Sequence, residues 1–228
     1  MTAETFETYA AARTDARFTE WLRERSEPDW ADATEHRFVR ELGDGTLDDA
    51  LFRRYLVQDY AFVGTLTSAF GYAVGQAPTM EAKGRLSEFL GILTDEEDNY
   101  FERSFDELDV PDSDRIDPSK ADVTEAFEDL LIRAAVQGGY EEALAVLVPA
   151  EWVYLTWATA PSKPPETFYF REWIEIHNTP AFETFVEWLR CELDKYGPSL
   201  SEHRQRRIER LFCRTVALEV EFFDAAYE

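Results

Sequence analysis

The stretch VLVPAEWVYLT, Val146–Thr156, decides how the rest of the chain is read. As a helix it puts Leu144, Leu147, Val148, Tyr154, Leu155 and Ala158 at i−7, i−4, i−3, i+3, i+4 and i+7 from Glu151. A carboxylate thus falls in the middle of an apolar stripe. Burying it ionised and alone is costly, so it must find a partner, shift its pKa or do chemistry. Pro149 lacks an amide hydrogen and is expected to kink the helix. Two further acids repeat the pattern at the same offsets. Asp59 lies among Phe52, Tyr55, Leu56, Phe62, Val63 and Leu66, and Glu219 among Phe212, Thr215, Val216, Phe222, Phe223 and Ala226. Each acid alone reads equally well as an edge residue or half of an ion pair. Three on three stripes point to one converging pocket.

The chain has 228 residues, 45% hydrophobic and 14% aromatic, enough to bury a full core in one domain spanning 1–228. Its net charge is −24. The only lysines are Lys83, Lys120, Lys163 and Lys195, which leaves 19 of the 23 basic residues as arginine. An acidic, lysine-poor surface on an ordinary core suggests a halophilic protein, because salt screens the self-repulsion. Nucleic-acid binding is disfavoured, since no basic stripe exists to release counterions. Cys191 and Cys213 are the only cysteines, too few for a disulfide framework, and the chain reads as cytoplasmic. The opening MTAETFETYAAARTDARF lacks the apolar segment of a signal peptide, and no apolar run is long enough to span a membrane.

Nearly the whole chain has helical period, with no convincing alternating strand. Helices are expected over Phe6–Arg25, from Asp32 or Thr34 to Leu42 with a stop at Gly43 and Gly45, and over Leu47 to about Gln76 with Thr46 as N-cap. Thr79–Leu108 follows, with the run DEEDNY (Asp95–Tyr100) read as a solvated face. After a connection at Val110–Ala121 come Thr124–Gln137, Tyr140–Ala160, Phe168–His177, Thr179–Tyr196 and Ser199–Ala226; Ser162-Lys163-Pro164-Pro165 reads as a stiff loop. The fold class is all-α, a bundle of seven to nine helices.

His36, His177 and His203 do not form a metal set, and the Glu-x-x-His pairs of di-iron bundles are absent. No metal or cofactor is expected. HExxH, CxxC, P-loop and GxSxG motifs are also absent. Cys213 lies nearly two turns from Glu219 and reads as an inert thiol rather than a nucleophile. His177, at a helix end, suits either a pocket donor or a favourable charge at a helix C-terminus.

Three segments in order carry a family resemblance. EHRFVRELGDGTLDDALFRRYLVQDYAFV (Glu35–Val63), ALAVLVPAEWVYLTW (Ala143–Trp157) and VALEVEFFDAAYE (Val216–Glu228) resemble the motifs of the TenA/THI-4 family of thiaminase II and aminopyrimidine aminohydrolases. The first motif is specific and the other two moderately so. The resemblance implies a heme-oxygenase-like helical bundle assembled as a homotetramer. It implies Asp59 as the clamp on a pyrimidine, Glu219 as the catalytic glutamate, and Phe62, Phe127, Tyr154, His177 and Phe222 as pocket walls. Relatives with thiaminase activity resemble this chain except for a cysteine directly after the proline of the central motif, where Ala150 stands. The chain therefore resembles the cysteine-lacking branch, with Glu151 as the second catalytic carboxyl.

That branch implies hydrolysis of 4-amino-5-aminomethyl-2-methylpyrimidine, or its N-formyl form, to the hydroxymethylpyrimidine. Thiaminase activity on intact thiamin is doubtful. Three other functions compete. A cysteine-less bundle also suits a carrier or regulator that binds an aminopyrimidine without turnover. An oxidase of the same fold, similar to the pyrroloquinoline quinone synthesis enzyme, calls for a basic, histidine-rich pocket that the sequence does not supply. Heme binding would rest on His36, for which a structural role is the simpler reading.

Overall fold

The computed structural model describes residues 5–161 and 163–228. The first four residues of the opening stretch, and Ser162 of the stiff loop, lie outside them. In chain order the helices are α1 (Phe6–Ala11), α2 (Phe18–Arg25), α3 (Asp29–Thr34), α4 (Arg37–Asp44), α5 (Asp49–Gln76), α6 (Met80–Ile92), a π-helical turn (Leu93–Glu97), α7 (Asp98–Glu107), α8 (Asp112–Ile116), α9 (Asp122–Gln137), α10 (Tyr140–Ala158), α11 (Phe168–Ile176), α12 (Pro180–Tyr196) and α13 (Glu202–Ala225). A single 3₁₀ turn, Gly197–Ser199, joins the last two. No strand occurs among the described residues. The all-α class holds.

The expected helix count falls short because several long segments are subdivided. Phe6–Arg25 is two helices, separated around residues 12–17. The segment expected to start at Asp32 or Thr34 is also two, with His36 between them as the N-cap of α4, its Nδ1 accepting from the Phe38 amide. Gly45 closes α4 at φ 67°, a left-handed conformation that favours glycine. Thr46 is exposed and does not cap α5; its hydroxyl donates to the Glu41 carbonyl oxygen at 3.4 Å. The N-cap of α5 is Asp48, whose carboxylate accepts from the amides of Ala50 and Leu51. Thr46 is two residues too early because its own amide, with that of Leu47, bonds back to the carbonyl of Glu41 and completes the end of α4. The Val110–Ala121 connection contains the short α8.

α10 lies at the centre, packed against α5, α9, α12 and α13. Every residue from Ala143 to Tyr154 is buried, as expected of a helix apolar on all sides. Pro149 does not end it. The turn from α9 into α10 is tight at Gly138, where a Cβ would meet the Ala134 carbonyl oxygen at 2.4 Å and Glu142 Cβ at 2.5 Å. At the same end Arg204 on α13 grips Glu142 (2.6 Å) and Glu141 (3.1 Å) on α10. This clip fixes how α13 lies on α10, and so how Glu219 lies relative to Glu151.

Asp48→Ala should destabilise the protein by about 1 kcal/mol, whereas Thr46→Ala should change it by no more than about 0.5 kcal/mol. Paired denaturant melts check this. Equal losses would contradict the cap assignment.

Candidate active site

A narrow cavity of about 30 Å³ opens between the long helices. Its lining draws Asp59, Phe62, Val63 and Leu66 from α5, Leu93 and Glu97 from the π turn, Ala150, Glu151 and Tyr154 from α10, Trp173 and His177 from α11 and its cap, and Glu219 from α13. Six of the eight site residues read from the sequence therefore face one space. Phe127 and Phe222 do not line it. They pack against Phe62, with ring centroids at 4.6 and 6.0 Å, and brace that wall from behind.

The acids are the unusual feature. Asp59 is 2% exposed, Glu151 5% and Glu219 1%, yet Asp59 Oδ2, Glu151 Oε1 and Glu219 Oε1 have no hydrogen-bond partner. Native interiors rarely leave buried polar atoms unsatisfied, and those that do call for a ligand or a chemical role. Burial drives all three carboxyls well above their usual range. Like charges add to it: Glu97 acts on Asp59 and on Glu151, while Asp59 and Glu151 act on Glu219. Burial with no cation beside them disfavours the ionised form of all three.

The DEEDNY run is a solvated face only in part: Asp95, Glu96 and Asn99 are exposed, but two of its residues turn inward. Glu97 is 8% exposed and lines the cavity, Tyr100 is 1% exposed, and Tyr100 donates a hydrogen bond to the Tyr169 carbonyl at 2.8 Å. Burial pushes the Glu97 carboxyl up to about 8. The signal was present in the sequence. At i−7, i−4, i+3 and i+4 from Glu97 stand Leu90, Leu93, Tyr100 and Phe101, the same stripe that singled out the other acids. Reading four charges as a block concealed it. Single π turns inside α-helices are frequent at functional sites.

Trp173 was also missed. Its side chain lines the cavity, with the indole Nε1 buried. Tyr154 shares a 2.8 Å hydroxyl–hydroxyl bond with Tyr55, which fixes its ring. His177 Nδ1 lies 2.9 Å from the Trp173 carbonyl oxygen and donates to it, leaving Nε2 as an acceptor in the neutral ring. Burial lowers the His177 pKa to about 4, so that ring is uncharged. Tyr154, Trp173 and Phe182 surround it with centroids at 4.9, 4.4 and 5.3 Å.

Other candidates lie elsewhere. His36 bonds Phe38 and Asp224 and stacks on Phe223, a structural set of contacts. Neither cysteine lines the cavity, and burial raises Cys213 to about 11. Ala150 presents a methyl group to the cavity. Among the described residues no group of three or more His, Cys, Asp or Glu is arranged to hold a metal ion. None of the described helices is long and apolar enough to cross a membrane.

An all-α bundle enclosing an acidic, aromatic-walled cavity defines a small-molecule site of the kind helical bundles build from facing helices. Residues 23–228 match the model of the TENA/THI-4/PQQC family, and the chain belongs to that family. It is 25% identical over 214 residues to an aminopyrimidine aminohydrolase of Halalkalibacterium halodurans, covering 92% of this chain and 95% of that protein. An aminopyrimidine aminohydrolase of Helicobacter pylori is 23% identical over 213 residues, covering 92% and 98%. Among solved structures, a TenA homologue from P. horikoshii OT3 superposes with a TM-score of 0.82 at 26% identity, covering 93% of this chain and 99% of that one. The fold is that of the TenA homologues.

A carboxyl held protonated by burial binds more protons folded than unfolded. It therefore stabilises the fold relative to its ionised form at low pH, and stability falls as pH rises from the unfolded value near 4.3 through the folded one. For Glu97 that window runs to about 8. Asp59, Glu151 and Glu219 are raised in the same direction and add to the decline. Thermal melts at fixed salt should show the unliganded protein losing stability from pH 5 to 8, by up to about 1.4 kcal/mol per pH unit for each such carboxyl. Glu97→Gln should flatten the slope. A flat or rising wild-type profile would contradict this.

Proposed function

We propose that this chain hydrolyses an aminopyrimidine, either 4-amino-5-aminomethyl-2-methylpyrimidine or its N-formyl derivative, to the hydroxymethylpyrimidine. For the aminomethyl substrate the exocyclic C–N bond breaks, a C–O bond to water forms, and nitrogen leaves as ammonia. The observation that carries this reading is the set of three partnerless buried carboxyl oxygens, from three helices, facing one aromatic-walled cavity. Such atoms fit a flat ligand rich in N–H donors.

In the proposed mechanism Asp59 accepts from the 4-amino group and shares its proton with a ring nitrogen, which fixes the ring's orientation. Phe62 and Tyr154 flank the ring, with Phe127 and Phe222 bracing the wall. His177 Nε2 offers a further acceptor. Glu219 serves as the acid–base group on the ring or the leaving nitrogen, and Glu151 orients and deprotonates the attacking water. Buried carboxyls with raised pKa values suit both steps, since proton transfer is most effective when the group titrates near the working pH. Intact thiamin is not a proposed substrate, because Ala150 supplies no thiolate. The relatives named aminopyrimidine aminohydrolase support the reaction class. The oxidase alternative expects a basic, histidine-rich pocket, but the cavity's described lining includes one histidine and neither arginine nor lysine.

Ammonia release from the aminomethylpyrimidine, with thiamin assayed alongside in high salt, tests the reading. Glu151→Gln and Glu219→Gln should each lower kcat by about 10²–10⁴-fold while still binding the hydroxymethyl product. Asp59→Asn should act mainly on KM. Cleavage of thiamin, or binding of the pyrimidine without any turnover by the wild type, would overturn it.

A further inference from the structure

Glu97 is the fourth carboxyl of the cavity and the mechanism above gives it no task. It enters from the π turn between α6 and α7, an element that contributes no other ionisable group to the lining. It lines the same cavity as Asp59, Glu151 and Glu219, and its charge acts on Asp59 and Glu151. The described lining provides no arginine or lysine to neutralise any of them. Asp59 and Glu151 are each more than nine-tenths buried, and Asp59 Oδ2 and Glu151 Oε1 are partnerless. A pocket with this many acids and no cation of its own is matched by a ligand that brings the positive charge.

We infer that Glu97 is a specificity-determining residue that pairs with the ammonium group of a cationic aminomethyl ligand and so separates it from the neutral hydroxymethyl product. This rests on the aminopyrimidine reading and adds to it the charge state of the ligand selected. Asp59 holds the ring whether the side arm ends in nitrogen or oxygen, so it gives no such discrimination. Glu97 does, because an ionised carboxylate left without its ammonium in an apolar wall is unfavourable, while a neutral carboxyl bonds an alcohol only weakly. After hydrolysis the side arm loses its charge and Glu97 loses its reason to hold the product. Substrate retention and product release are thereby assigned to one group.

The test compares binding of two compounds, 4-amino-5-aminomethyl-2-methylpyrimidine and its 5-hydroxymethyl counterpart. It is made in a Glu219→Gln background, so that bound ligand is not consumed, by titrating tryptophan fluorescence, which Trp173 in the wall should report. Gln at 219 imitates the neutral carboxyl already there. The aminomethyl compound should bind more tightly than the hydroxymethyl compound. Adding Glu97→Gln should weaken the aminomethyl compound by about tenfold or more and leave the hydroxymethyl compound within about twofold. Adding Glu97→Asp, which keeps the charge but withdraws it, should give an intermediate ratio and guards against a folding defect in the Gln variant. Equal weakening of both compounds would assign Glu97 a purely structural role, and no change in either would assign it none. Both results overturn the inference while leaving the aminopyrimidine reading intact. Binding of neither compound to the parent protein would overturn that reading, and the inference with it.

Discussion

The structure is built around the cost of keeping carboxyl groups in an apolar interior without partners. An ionised carboxylate in such surroundings is unfavourable by far more than a hydrogen bond returns, so burial favours the protonated form and the rest of the fold absorbs the remaining penalty. Here Asp59, Glu151 and Glu219 sit on the three long helices α5, α10 and α13, each held by apolar neighbours one turn away on either side. α10 is buried on every side, which holds Glu151 in the interior. The Arg204 clip and the tight turn at Gly138 keep α10 and α13 in register. The cavity is a place where the core is well packed but chemically unfinished, and a ligand with N–H donors completes it.

Aromatic packing makes the cavity stiff. Phe62 is backed by Phe127 and Phe222, Tyr154 is tied to Tyr55, and His177 is enclosed by Tyr154, Trp173 and Phe182. Rings have few rotatable bonds, so a wall made from them keeps its shape when empty and binding costs less ordering. The polar atoms are fixed by the same contacts. Trp173 both lines the cavity and supplies the carbonyl that sets the His177 tautomer.

The all-α class and the convergence of three acids were legible because helical period is a strong signal in long segments, and an acid at the centre of an apolar stripe stands out against it. Short-range detail was less legible. His36 and Asp48 cap their helices through local geometry that composition alone does not specify, and Thr46 was the wrong choice because its amide is used to end the preceding helix. Glu97 shows a different limit. Asp95, Glu96 and Asp98 around it are ordinary surface acids in type, and a charge run reads as solvated until each position is tested against its own i±3 and i±4 neighbours. The π turn was not legible at all, since it depends on packing between α6, α7 and α5 rather than on local preference. Phe127 and Phe222 lie one layer behind the cavity wall, a distinction of a few ångströms that sequence spacing does not resolve.

The protonation state of the pocket is the point on which structure and proposed chemistry meet. Infrared spectroscopy of the unliganded protein at pH 7 measures it directly, because protonated carboxyl groups absorb apart from the ionised carboxylates that dominate a chain with 47 acidic residues. The wild type should show carboxylic-acid bands, and difference spectra against Asp59→Asn, Glu151→Gln and Glu219→Gln should each remove one. A spectrum containing only ionised carboxylate would contradict a neutral pocket and remove the physical basis for the acid–base roles assigned to these residues.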